Sequence, residues 1–497
     1  MPDAEPHAPP PDKTEVTRGG AARAGLAWVV TLALLGFVWT ANSGGLLSSN
    51  DGSHLALARA LALRHATPID EDRALTLEID LAERAGHAYS DRPPGTGFVA
   101  LPAVWIGDRL DPWAFDRAMA QVEAREPVDP LPAAMPYIST YAARLGEGSV
   151  GPNLADLIAT SVAISIHAVV IGLLGMLAVD RLLRSLALDP SARLFAVAAV
   201  GLGTAWGPYS TTLFAHGPAA LAVTGFLAGI VQLRAKPPTP GSTAAIVLAA
   251  LTGAAGAWAV ACDYLLVLAI VPATLATAPW RARTWAGLAL GAAPVVLATL
   301  AYHHAAFGSP LAIGYDHHAH FEFTRTRAGT FSGDPLDGLW TLWGLGRGAG
   351  LLAQAPVSLA GLAIAASLVP AGVRRGGVDE AGAGEAAVVL GRALLAFLPW
   401  AVALAFHRTP WGGGTGDHRY LIPILPFAAV GLGLAWSRSG AGVRGGLLAL
   451  TLGSTVLVWR HFLGWHEAEP FARMVQGAVV AALVLMVGLL TSRVRRS

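Results

Sequence analysis

Four short segments hold most of the reactive side chains of an otherwise apolar chain. The first is "SSNDGSH", in which Asp51 follows Ser48, Ser49 and Asn50. A carboxylate there can accept a proton, or bind a metal or sugar hydroxyls. It can equally serve a helix start, because Ser, Asn and Asp accept hydrogen bonds from the open N–H groups of a first turn. Both uses are open together if Ser49 or Asn50 makes the cap. The second segment is "HAYSDRPPGTGF", where Asp91 and Arg92 precede Pro93 and Pro94. The prolines exclude helix and hold the backbone extended, and Gly95 and Gly97 allow another group to come close. Such a rigid charged segment suits a lipid phosphate, with Arg92 as the cation. It suits an ordinary turn into an interfacial helix as well. The third segment carries His303, His304, His317, His318 and His320 with Asp316 and Glu322. This set invites zinc, but its spacing matches no HExxH pattern, and a solvated aromatic loop is the competing reading. The fourth, "WGGGTGDHRYLIPILPF", puts Asp417, His418, Arg419 and Tyr420 where an apolar stretch begins. Arg419 can bind phosphate there, or snorkel to the membrane edge.

The elements that must position these groups are apolar helices. The chain has 497 residues, 54% hydrophobic and 13% charged, and a mean hydropathy of +0.52. Soluble domains carry about 25% charged residues. The expected fold is an all-α polytopic membrane protein. Stretches of roughly 24–45, 154–178, 192–208, 214–234, 243–261, 263–280, 284–302, 348–370, 387–406, 419–436, 443–460 and 472–491 give about twelve transmembrane helices. Residues 1–23 are polar and Pro-rich and read as a disordered cytoplasmic tail. The remainder, 24–497, reads as a single transmembrane domain.

Arginine placement sets the orientation. "DRLLRSLALDPSAR", "QLRAKPP", "WRARTW", "VRRGG", "SRSGAGVRG" and "SRVRRS" fall on alternate connections, all on the side of the N-terminal tail. The positive-inside rule then makes both termini cytoplasmic. The opposite, extracytoplasmic face receives a long first loop, 46–153, and a second, 303–347. It also receives the turns "GPYSTTLFAHG" and "ACDYL". Within the first loop, 95–107 is apolar but short for a span, and is expected to be an interfacial or re-entrant helix. The net charge of +1 gives no sign of nucleic-acid binding, and the single Cys262 excludes an intrachain disulfide or a cysteine metal cluster. The short cytoplasmic loops hold no P-loop, dinucleotide or kinase motif, which argues against ATP-driven transport by this chain alone.

Taken together, the segments resemble the integral-membrane glycosyltransferases of the C-fold superfamily, in particular lipid A aminoarabinose transferases and protein O-mannosyltransferases. "SSNDGSH" occupies the place of the superfamily's acidic first-loop motif. "YSDRPPG" is similar to a Lys-Pro-Pro segment, with Arg92 for the lysine. "RYLIPILP" resembles an Arg-Tyr-Leu-x-Pro-x-x-Pro segment opening a late span. The resemblance implies a glycosyltransferase of the bacterial cytoplasmic (inner) membrane. Its donor would be a polyprenyl-phosphate sugar and its acceptor a lipid, glycan or protein. Asp51 would act as base, Arg92 and Arg419 would bind the donor phosphate, and the displacement would invert. Asp91, Tyr89, His54, Tyr315, His317 and Tyr420 are expected to contact substrate. The acidic motif is often paired, whereas here Asp51 is followed by Gly52. A second carboxylate would have to come from Asp70, Glu71, Asp72 or Asp91. Some members need a divalent metal and others do not; without the second motif acid, no metal ligand or cofactor is assigned. The alternative is a transporter or flippase of a lipid-linked glycan. Such a protein would carry ionisable residues deep in its spans, and these spans are nearly free of them.

Overall fold

The computed structural model describes residues 46, 48–123, 144, 148–152, 154–235, 237–239, 242–373, 383–413 and 416–465. The expected tail 1–23 and the expected spans 24–45 and 472–491 lie outside the described residues.

The fold begins with α1 (Ser49–Arg64). Its N-terminus closes as a capping box, in which Ser48 caps and the Asp51 carboxylate reaches back to it. His65 stops the helix in the left-handed conformation, with φ of 54°. Two strands that the sequence reading did not anticipate follow, β1 (Ala82–Arg84) and β2 (His87–Tyr89), paired antiparallel with Ala82 opposite Tyr89. Their two-residue turn is Ala85–Gly86, with both φ values positive. That geometry matches the right-handed twist of the strands.

Pro93 and Pro94 then lead into α2 (Gly95–Glu123). The expected short helix 95–107 is therefore only the first part of a longer one. The reason lies in "WAFDRAMAQVE", a run of good helix formers that carries the helix onward.

The rest is a bundle: α3 (Leu154–Ser185), α4 (Pro190–Gly203), α5 (His216–Ala235), α6 (Thr243–Cys262), α7 (Val267–Thr277), α8 (Ala282–Phe307), α9 (Pro335–Trp343), α10 (Pro356–Ala365), α11 (Ala383–Ala396), α12 (Leu398–Ala405), α13 (Leu425–Arg438) and α14 (Ala441–Trp465). Among the described residues, seven helices are long and apolar enough to cross a membrane. The expected spans 192–208, 263–280 and 348–370 appear instead as the shorter apolar helices Pro190–Gly203, Tyr264–Thr277 and Pro356–Leu368. Each is cut by local chemistry. Thr204 turns extended after α4, Asp263 caps a new turn, and 346–354 is spent on two short turns.

Small residues let the helices touch backbone to backbone. A Cβ at Gly291 would lie 1.7 Å from the Ala250 carbonyl, joining α8 to α6, and one at Gly431 would lie 1.9 Å from that of Gly361, joining α13 to α10. Leu251, Leu290, Leu297 and Leu452 point outward at 64–67% exposure, as side chains facing lipid would. Trp206, Trp400 and Trp459 fill the bundle's core. A second apolar cluster, including Leu55, Leu75, Val104, Leu157 and Leu213, seats α1 and the following loop on the bundle. A third, including Leu57, Tyr89, Tyr302 and Phe307, ties the hairpin to α8.

Candidate functional site

The hairpin and the second large loop are stitched together. Ala82 bridges His318, and the Ala319 N–H donates to the Leu81 carbonyl at 2.9 Å. Gly314 brings the loop onto Asp91, where a Cβ would meet the Asp91 carbonyl oxygen at 2.6 Å. At this junction a charged cluster is buried. Ser53 of α1 donates to Asp91 Oδ1 at 3.0 Å. Ser53 has one proton to give, so the 2.9 Å contact with Ser90 takes its proton from Ser90. Asp91 Oδ2 lies 3.3 Å from Arg92 Nε and 3.5 Å from His318 Nε2, with no hydrogen bond among the described residues. Arg92 Nη2 donates to Asp80, whose other oxygen accepts from Ser49. His318 Nδ1 accepts from the backbone N–H groups of His320 and Phe321 at 3.1 and 3.0 Å. Its own proton therefore sits on Nε2, facing Asp91.

The electrostatics follow from burial. Loss of solvent pushes Asp91 up to about 7; Arg92 opposes that rise and Asp80 adds to it. Burial works against the charge on Arg92, but Asp80 and Asp91 hold its pKa well above the ordinary value. His318 is driven down to about 4 by burial and by Arg92, and is neutral at pH 7.

Arg419 stands beside this cluster on the turn that opens α13. Burial of His418 fixes the turn: the Ala205 N–H donates to its Nε2 at 3.4 Å, and its Nδ1 donates to Gln354 Oε1 at 3.1 Å. The Arg419 guanidinium lies over the rings of Phe214 and Tyr420, at 5.4 and 5.3 Å from their centres. Asp417 is its nearest acid at 3.6 Å, and that carboxylate already takes the Tyr209 hydroxyl and the Arg419 backbone N–H. Arg419 and Arg92 are close enough to feel each other's charge. His216, the first residue of α5, lies in the field of Arg419, His54 and Arg92.

The structure brings together Asp91, Arg92, His54, Tyr315, Arg419 and Tyr420; Tyr315 feels the charges of Arg92 and Asp91. Asp51 is buried on the same helix turn, where its carboxylate accepts from the Ser48 N–H at 2.7 Å and the Ser48 hydroxyl at 3.0 Å. Tyr89 packs on Phe307 at 5.6 Å, and His317 stacks on that same ring at 5.3 Å. Of the four carboxylates left open as a second acid, only Asp91 belongs to the cluster. Asp70 binds the Ala88 N–H and His87, Glu71 is exposed beside Arg64, and Asp72 is paired with Arg59 and Arg64. Sequence reasoning missed Asp80 and His216, and named His318 only as one of five loop histidines. His216 lies in the turn "GPYSTTLFAHG", already placed on this face; Asp80 and His318 enter only through the hairpin.

The five histidines of the second loop do not gather. His303 bonds Tyr264, His317 stacks on Phe307, and only His318 enters the cluster. Asp80, Asp91 and His318 each offer one ligand atom, all within 4.8 Å of one another. Arg92 nevertheless pairs with both carboxylates, so a dication would have to displace or repel a buried guanidinium. The cation that this donor set fits is the arginine. Comparison of the chain with protein-family models, with curated proteins and with solved structures finds no match.

Proposed function

We propose that this chain is a membrane glycosyltransferase that moves a sugar from a polyprenyl-phosphate donor to an envelope acceptor. The observation that carries the reading is a buried, half-bonded carboxylate, Asp91, paired with Arg92, whose charge is felt by a second arginine, Arg419, with Nε and Nη1 lacking hydrogen-bond partners among the described residues. A proton acceptor and an anion site joined through one charged cluster are what displacement at a phosphate-linked carbon requires. The likeness of "YSDRPPG" and "RYLIPILP" to superfamily segments points the same way, since these are the segments that supply Asp91 and Arg419.

The step balances simply. The acceptor hydroxyl oxygen attacks the anomeric carbon while its proton passes to Asp91. The bond from that carbon to the phosphate oxygen breaks, and polyprenyl phosphate leaves with the electron pair toward Arg419. Arg92 holds Asp80 and Asp91 in place, and His318 turns its Nε2 toward the Asp91 oxygen that does not bond Ser53, at 3.5 Å. Asp51 keeps the turn that presents Ser49 and Ser53. The base role read for Asp51 from the sequence thus passes to Asp91, and the phosphate role is centred on Arg419 rather than shared with Arg92. The reading includes a bacterial inner-membrane location, about twelve spans and cytoplasmic termini.

Mass spectrometry of lipid-linked sugars in a deletion strain tests it. One polyprenyl-phosphate sugar is expected to accumulate, with loss of a matching envelope glycan. Unchanged lipid-linked sugars and glycans would remove the reading.

A further inference from the structure

Several buried side-chain nitrogens around the Arg419 turn make no hydrogen bond in the fold. Both ring nitrogens of His54, Nδ1 of His216, and Nε and Nη1 of Arg419 lack hydrogen-bond partners among the described residues. All three side chains belong to residues at least nine-tenths buried. Buried polar groups are nearly always satisfied, so a concentration of unbonded nitrogens calls for a specific partner. Resting on the reading above, we infer that His54, His216 and Arg419 form the cradle for the donor's phosphate, next to an Arg92 that two carboxylates hold.

Three elements converge to build it: α1 supplies His54, the start of α5 supplies His216, and the turn before α13 supplies Arg419. His216 and Arg419 border the same two rings. His216 lies 6.4 Å from Phe214 and 5.6 Å from Tyr420, and Arg419 sits against both. His54 is driven down to about 3 by burial and by Arg92, so it is neutral and brings one N–H donor without adding charge. The first turn of the 20-residue α5 adds the positive end of a helix at His216. The acids oppose a second anion elsewhere. Asp80 and Asp91 already occupy Arg92, whereas Asp417 stands 3.6 Å from Arg419 and is engaged by Tyr209. A phosphate is the ligand that a planar guanidinium fork and neutral imidazole donors share.

The test uses the purified full chain in lipid nanodiscs, with farnesyl phosphate as the probe and inorganic phosphate and farnesol as competitors. Inorganic phosphate is expected to compete and farnesol is not. Arg419→Gln and His216→Phe should each weaken binding at least tenfold, and His54→Gln should weaken it severalfold. Arg92→Lys, which keeps the charge against Asp80 and Asp91, should change it less than twofold. His216→Phe carries a second signature. It removes a ring nitrogen that has no hydrogen-bond partner and keeps a ring among Phe214, Tyr209 and Tyr420, so melting should be unchanged or raised while binding falls. Wild-type affinity in His216→Phe and His54→Gln, a loss in Arg92→Lys equal to that in Arg419→Gln, or competition by farnesol would each overturn the cradle. If the wild type fails to bind farnesyl phosphate while a deletion strain accumulates its donor, the cradle is wrong and the transferase reading stands. If binding follows the cradle but no donor accumulates, the transferase reading alone is wrong.

Discussion

Three serines of one helix start each hold a different carboxylate: Ser48 holds Asp51, Ser49 holds Asp80 and Ser53 holds Asp91. The three acids therefore have separable roles. Asp91→Asn keeps the shape and can still accept from Ser53, but it cannot take a proton. Sugar transfer should fall by about 10²–10⁴-fold with normal protein level. Asp51→Ala removes one arm of the capping box, at a cost of about 0.5–2 kcal/mol, and should lower the melting temperature while activity per folded molecule persists. An inactive, well-folded Asp51→Ala beside an active Asp91→Asn would return the base role to Asp51. The pH dependence has a definite sign. Asp91 must be ionised to act, and its pKa is raised to about 7, so the rate should climb as pH rises through about 7 and level off above it. The apparent value belongs to the whole cluster rather than to one acid. The same shift makes the native state hold a proton that an unfolded aspartate, with a pKa near 3.8, has lost. Stability should therefore fall as pH rises from about 4 to about 7, and Asp91→Asn should flatten that slope in melting experiments.

At the scale of elements, the site depends on two loops meeting without a gap. Gly314 is the contact point, since any Cβ there enters the Asp91 backbone. Gly314→Ala should cost about 1–3 kcal/mol through overpacking, and should lower activity beyond what the melting shift explains, because it moves Asp91 relative to His318. Activity and melting temperature equal to wild type would mean that the loops meet more loosely than this. The contact also shows where sequence reasoning stops. The positions of Asp91, Arg92 and Arg419 were legible, because proline, glycine and charge stand out against apolar runs. Most of the helical spans were legible for the same reason. The hairpin was not, since strands of three residues are too short to show a period of two. With the hairpin hidden, neither Asp80 nor the bridge from Ala82 to His318 could be seen. Asp51 stayed open between two uses for a different reason: an acidic motif and a capping box draw on the same residues, and only the structure shows the Ser48 hydrogen bonds of the cap.

Across the whole molecule, the helices separate two kinds of charge. α5 begins at His216 in the site and ends by Arg234, which pairs with Glu385 at 3.1 Å. The turn Arg419–Ile424 opens in the site, and α13 ends at Arg438. There Arg444 donates to the Trp436 carbonyl, while the Trp436 ring donates to Ser191 of α4. α3 and α4 add Arg184 and Arg193, both paired with Asp180. A 20-residue helix spans about 30 Å, so the arginine-rich turns and the candidate site lie at opposite ends of the same helices. On the reading proposed above, the positive-inside rule puts the arginine end in the cytoplasm and the site on the outer face. Single-cysteine labelling checks the assignment directly. Cys262 is buried and should give little background. Leu311, 78% exposed in the second loop, and Trp280, 73% exposed in the turn between α7 and α8, lie at the two ends of α8. In intact cells Leu311→Cys should react with a membrane-impermeant maleimide, whereas Trp280→Cys should react only after permeabilisation. The reverse pattern would put the site in the cytoplasm, where a donor presented in the outer leaflet could not reach Arg419.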